Sequence, residues 1–172
     1  MSNITIQPAT HDEIPAIVEL ITKARADMFP FLDQSSSDQM AQKELDIFKG
    51  RYLDHPQGSF LTAYSDGRLI ATIGYAAYDG RFSHLTLEPE HVVEILRLYV
   101  EPEWRRAGLA SRLFDTLVET ARQSGIIKQL YLHTHPFLPH AIDFWKQKGF
   151  SVIAVDQDPV WQTTHMKRSL QN

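Results

Sequence analysis

From Val92 onward, Val92-Val93-Glu94-Ile95-Leu96-Arg97-Leu98-Tyr99-Val100 is a run of β-forming residues broken only by Glu94 and Arg97. After a short turn, Leu109, Leu113 and Leu117 recur at helical spacing, with Phe114, Val118 and Ala121 widening the stripe. Gly125 lies just past the last apolar position, where a left-handed C-cap belongs. A strand, a loop and an amphipathic helix are therefore expected between Val92 and Gly125.

The pattern on either side predicts further elements. Ile4-Thr5-Ile6 alternates as a short strand, and Thr10 or Asp12 can cap a helix carrying Ile14, Ile17, Val18 and Ile21. Phe29-Pro30-Phe31-Leu32 breaks that helix, and a second is expected from about Ser37 to Tyr52. Ser59 to Tyr64 and Leu69 to Tyr78, joined through Ser65-Asp66-Gly67-Arg68, read as a hairpin. Ile126 to Thr134 is a strand that the preceding helix should set parallel to the first. A helix from about His140 to Lys148 and strands at Ser151 to Val155 and Val160 to Met166 complete the order.

Composition narrows the classes that this pattern can serve. With 172 residues, 43% of them hydrophobic, the chain suits a single domain with its own core. A formal net charge of -4, without blocks of like charge, argues against nucleic acid and anionic membrane as general partners. There is no cysteine, which excludes a disulfide framework, a thiol nucleophile and a Cys-ligated zinc. No apolar stretch approaches a membrane span and no basic, apolar leader opens the sequence, so a cytoplasmic location is expected.

The candidate chemistry lies at the helix start. The first amides of a helix lack intrahelical partners, and the dipole adds partial positive charge, so this end attracts anions. Gly108 removes a side chain where a ligand would approach the backbone, Ala110 keeps the next position small, and Arg105 and Arg106 add charge. Neither a Walker loop nor a dinucleotide fingerprint occurs.

What does occur is Arg105-x-x-Gly108-x-Ala110 after a hydrophobic strand, followed later by Ala141-Ile142-Asp143-Phe144-Trp145-Lys146-Gln147-Lys148-Gly149-Phe150. Together with the element order, these segments resemble the GNAT superfamily of N-acetyltransferases over nearly the whole chain. The resemblance implies an α/β (α+β) fold with a mixed, mostly antiparallel sheet of about seven strands, a splayed parallel pair and about four flanking helices. It implies acetyl-CoA as co-substrate, with no metal, and direct attack by a primary amine in a ternary complex. The backbone of Leu98, Tyr99 and Val100 would hold the pantetheine. The amides of Arg105, Arg106, Ala107, Gly108, Leu109, Ala110 and Ser111 would hold the pyrophosphate, with Phe144 and Trp145 packed beside the coenzyme.

The resemblance also places Glu94 at the general-base position of some members, against the plainer reading of a glutamate paired with Arg97 or Arg68. Phe29, Phe31, Tyr75 and His133 are the candidate acceptor-site residues. The usual tyrosine of the late helix is Trp145 here, and an indole cannot give up its proton near neutral pH. His133, His135 and His140 lack a nearby carboxylate or cysteine, so they are a weak metal signal. A small-molecule or peptide amine is the expected acceptor, its identity open among amino acids, polyamines, aminoglycosides, peptide N-termini and protein lysines. A homodimer is compatible with the resemblance. A longer acyl donor and a non-catalytic acyl-CoA-binding module remain as alternatives.

Overall fold

The computed structural model describes residues 3–171. In chain order its main elements are β1 (Ile4–Pro8), α1 (Ile14–Met28), α2 (Ser37–Phe48), β2 (Ser59–Ser65), β3 (Arg68–Ala77), β4 (Val92–Val100), α3 (Leu109–Ser124), β5 (Gln129–Thr134), α4 (Ala141–Gln147), β6 (Ser151–Val155) and β7 (Thr164–Ser169). One seven-stranded sheet has the order β1-β2-β3-β4-β5-β7-β6. Its pairings are antiparallel except β4 with β5, as the helical crossover between those strands requires. This is the mixed sheet with one parallel pair that the sequence predicts.

Two boundaries differ from expectation. The last strand begins at Thr164, four residues later than predicted, because Asp158 accepts hydrogen bonds from the amides of Val160 and Trp161 at 2.7 and 2.8 Å and holds that segment in a turn. The strand also inserts between β5 and β6, a placement that its own pattern does not encode. The second helix stops at Phe48 and continues as a wider π turn over Lys49–Leu53.

Opposite sheet faces receive different cover. On one, α3 buries Leu113, Phe114, Leu117 and Val118 against Ile73, Val93, Leu130 and Met166. On the other, α1 and α2 bring Ile17, Val18 and Phe48 onto Phe60 and Ala76. The rest of this second face lies under the β3–β4 loop, whose Phe82, Leu85 and Leu87 pack on Tyr78, Val92 and Tyr131. No helix among the described residues is long and apolar enough to cross a membrane.

Candidate active site

The parallel pair is short. Val92, Val93 and Glu94 pair with Gln129, Leu130 and Tyr131, and no pairing follows although β4 continues to Val100 and β5 to Thr134. The strands separate from there as a V, with Glu94 at its apex.

Beyond the apex, β4 carries a bulge. Thr72 faces Tyr99 and Gly74 faces Leu96, which leaves Arg97 and Leu98 opposite one β3 residue. Arg97 takes a left-handed backbone, φ 61°, and its carbonyl accepts a 2.8 Å hydrogen bond from the Thr72 hydroxyl. The extra residue resets the alternation: Val93 and Ile95 point toward α3, Arg97 joins Leu96 on the α1–α2 side, and Leu98 returns to the α3 side. Arg97 thereby reaches Glu44 of α2 through two bonds of 3.0 and 3.1 Å.

The end of β4 separates two concavities. One, of about 490 Å³, lies between the start of α3 and α4 and is lined by Val100, Arg105, Gly108, Ser111, Phe144 and Lys148, among others. Gly108 has φ 81°, and Arg106 is also left-handed at 67°. The first amide of α3 to find a backbone carbonyl is that of Arg112, on Gly108, so the amides of Leu109, Ala110 and Ser111 have no helical partner. Those of Arg106, Ala107 and Gly108 also have no backbone acceptor among the described residues. Six adjacent donors with positive side chains around them fit a pyrophosphate. Arg105 braces the loop, donating to the Val100 carbonyl at 2.8 Å with its guanidinium 5.5 Å from the Tyr99 ring centre.

The other concavity, of about 650 Å³, lies between α1, α2 and β4. The β4 segment around Leu98 and Tyr99 borders it, and Phe29 also lines it. Its charged lining comprises Arg25, Lys43, Arg51, Asp33 and the Arg97–Glu44 pair, an excess of positive charge. Of these cations only Arg97 has a carboxylate within ion-pair distance among the described residues. Tyr99 donates to Asp27 at 3.1 Å, and burial, together with the Glu101 and Asp27 charges, pushes its phenol up to about 12.

Glu94 is buried, with 1% of its surface exposed. Its partner is neither Arg97 nor Arg68 but Arg81 of the β3–β4 loop, which donates to both carboxylate oxygens at 2.7 and 2.8 Å. His133 Nδ1 lies 3.3 Å from the same carboxylate, at ion-pair distance but without a well-aligned hydrogen bond. Burial raises the Glu94 carboxyl, but the His133 imidazole and the two Arg81 bonds outweigh it and hold the group at about 2.

The remaining candidates are divided. Phe29 and Phe31 join His135, Phe137 and Trp161 in an aromatic cluster, with ring centres 5.7 Å apart for Phe29 and Trp161 and 5.5 Å apart for Phe31 and Phe137. Tyr75 lies in the core on the α3 side, and Trp145 packs against Phe114 and Phe150, both at 5.4 Å. Phe144 alone of that pair lines the groove. Arg81, Lys148 and Trp161 escaped the sequence reading. Arg81 stands thirteen residues from Glu94 with no local spacing to mark it, whereas Lys148 was within reach as the basic end of the late helix motif.

A sheet opened at its parallel pair, with an amide-rich anion groove on one side of the open strand and a cavity on the other, is the framework of a group-transfer enzyme. The chain belongs to the Acetyltransferase (GNAT) family, whose profile matches residues 18–150, and it is an acyltransferase. It is 28% identical over 153 residues to the uncharacterized N-acetyltransferase YjgM of Escherichia coli (strain K12), covering 89% of this chain and 82% of that one. A GNAT-family acetyltransferase structure from Staphylococcus aureus Mu50 superposes with a TM-score of 0.76 at 19% identity, covering 98% of this chain and 100% of that one. PaiA N-acetyltransferase from Thermoplasma acidophilum, solved in complex with coenzyme A, superposes with a TM-score of 0.72 at 17% identity, covering 97% and 99%.

Proposed function

We propose that the protein transfers an acetyl group from acetyl-CoA to a primary amine by direct attack within a ternary complex. The observation that carries this reading is the separation of the anion groove from the α1–α2 cavity by the single open strand end, Leu98 to Val100. A donor along β4 and an acceptor entering from the opposite side would meet at the V. When bound, the thioester supplies an activated carbonyl with a good leaving group, and the residues supply position and charge.

The amides of Arg106 through Ser111 hold the pyrophosphate, and the unpaired edge of β4 accompanies the pantetheine. Glu94 and His133 serve the amine as a unit. The carboxylate is ionised at every working pH, and the partly buried imidazole beside it takes the proton directly or through water. Tyr99 commits its hydroxyl to Asp27 and Trp145 is enclosed in the core, so the leaving thiolate is protonated by solvent. The unneutralised Arg25, Lys43 and Arg51 favour an acceptor amine that also carries an anionic group, such as a carboxylate, over a polyamine.

The test is thermal unfolding with and without acetyl-CoA, for the parent and Gly108→Trp, followed by free-thiol release over an amine panel. Coenzyme at about 100 times its Kd stabilises by about 2.7 kcal/mol, a rise of about 5–10 °C for a chain of this size. A Cβ on Gly108 meets no atom within 4 Å, so the indole projects into the groove, and the left-handed backbone costs only about 1–2 kcal/mol. The expected result is a shift for the parent, none for the folded variant, and thiol release that depends on amine. No shift for the parent at millimolar coenzyme would overturn the reading. A shift without amine-dependent thiol release would identify a binding module instead.

A further inference from the structure

Away from both concavities, three side chains from distant parts of the chain converge on one point. His84 belongs to the β3–β4 loop, Asp156 follows β6, and His165 lies in β7. His165 Nε2 stands 3.1 Å from each Asp156 oxygen, His84 Nε2 stands 3.1 Å from Oδ1, and the donor atoms of all three lie within 4.8 Å of one another. Zinc bonds of about 2.0–2.2 Å in tetrahedral geometry set neighbouring donors about 3.3 Å apart, close to the two measured edges. Two imidazoles and a carboxylate are a borderline-soft set suited to a zinc-class ion, and three protein donors leave the fourth position for water.

The second ring nitrogen of His165 provides an independent observation. Its Nδ1 lies 2.6 Å from the Tyr131 hydroxyl, and both residues are fully buried. Metal-bound imidazoles are characteristically held this way, with the remote N–H fixed by a second group. When Nδ1–H donates to the phenol oxygen, the Nε2 lone pair faces Asp156 and His84. That arrangement sets a lone pair against a carboxylate, which only a proton or a metal ion between them relieves. With the opposite tautomer, the same distances describe imidazole N–H groups donating to Asp156, and no ion is required.

We infer that His84, Asp156 and His165 bind one zinc-class divalent cation, which fastens the β3–β4 loop to the sheet. The loop matters to the site because Arg81, three residues before His84, holds Glu94, while Phe82 packs on His165 at 4.7 Å and on His133 at 5.5 Å. An ion here would restrict both partners of the Glu94 carboxylate without touching the reacting atoms. The sequence-visible histidines have other surroundings: His133 faces Glu94, and His135 stacks on Phe137.

The inference is tested on chelator-stripped protein at neutral pH by calorimetric titration with Zn²⁺ and by visible absorption on adding Co²⁺, for the parent, His84→Ala and Asp156→Asn. His84 is exposed, so its truncation leaves the fold intact, which circular dichroism checks. The expected result is one saturable site per chain with tetrahedral cobalt bands in the parent, and binding weakened about tenfold or more in both variants. Absence of a stoichiometric site in the parent would overturn the inference and leave a purely hydrogen-bonded cluster. Binding unchanged in both variants would also overturn it, by assigning the ion to other surface histidines. Neither result depends on coenzyme binding, so failure here is distinct from failure of the proposed reaction.

Discussion

Glu94 is a buried charge at the point where the parallel strands part. Its carboxylate is out of water yet ionised, because Arg81 donates to both oxygens and His133 stands beside it. In Glu94→Gln an amide replaces the charge, and Arg81 is left without its bidentate acceptor. The expected loss is about 2–3 kcal/mol in denaturant unfolding, below the range for a fully enclosed pair because 37% of the Arg81 side chain still reaches water. Turnover should fall about 10²-fold or more. The pH dependence has a definite sign. The folded value of about 2 lies below the ordinary carboxyl value of 4.5, so this contribution is complete above that range. It is lost as pH falls from about 4.5 towards 2, and the acid limb of a stability–pH curve should be shallower in Glu94→Gln than in the parent.

At the scale of elements, α3 and the β4 bulge hold the site by different means. The helix acts through apolar cover: Leu113 is wholly buried, and Leu113→Ala should cost about 2–5 kcal/mol in unfolding free energy, lowering the thermal midpoint while the native protein still binds coenzyme. The bulge acts through one hydrogen bond and one unusual backbone angle. Thr72→Val removes the bond to the Arg97 carbonyl at a cost of about 1 kcal/mol. Because Arg97 reaches Glu44 only through the bulge, KM for the amine should rise more than KM for the coenzyme. Helix α3 was legible in the sequence because its stripe and its two glycines are local. The bulge was not, since Arg97 within a β-forming run looks like any exposed strand residue until β3 fixes the register.

For the molecule as a whole, the proposed reaction makes the cations of the α1–α2 cavity the source of any preference among acceptors. An amine bearing a carboxylate should outperform its decarboxylated counterpart in kcat/KM. Arg25→Ala should raise KM for that substrate about tenfold and leave coenzyme-induced stabilisation unchanged, since Arg25 lines the α1–α2 cavity and not the groove at α3. Equal rates for the two amines would remove the charge argument while leaving acyl transfer itself standing.

The sequence by itself determined the order of elements, the parallel pair and the left-handed turn at Gly108 that opens α3, because each depends on residues within a few positions or on one crossover rule. Apolar periodicity, a glycine free to be left-handed and an unpartnered helix start are local physics. Only the tertiary structure decided that β7 inserts beside β5, that Tyr75 and Trp145 serve the core, and that Arg81, His84 and Trp161 reach sites assembled from distant segments. Those outcomes depend on which faces meet and where loops cross, and no local spacing carries that information.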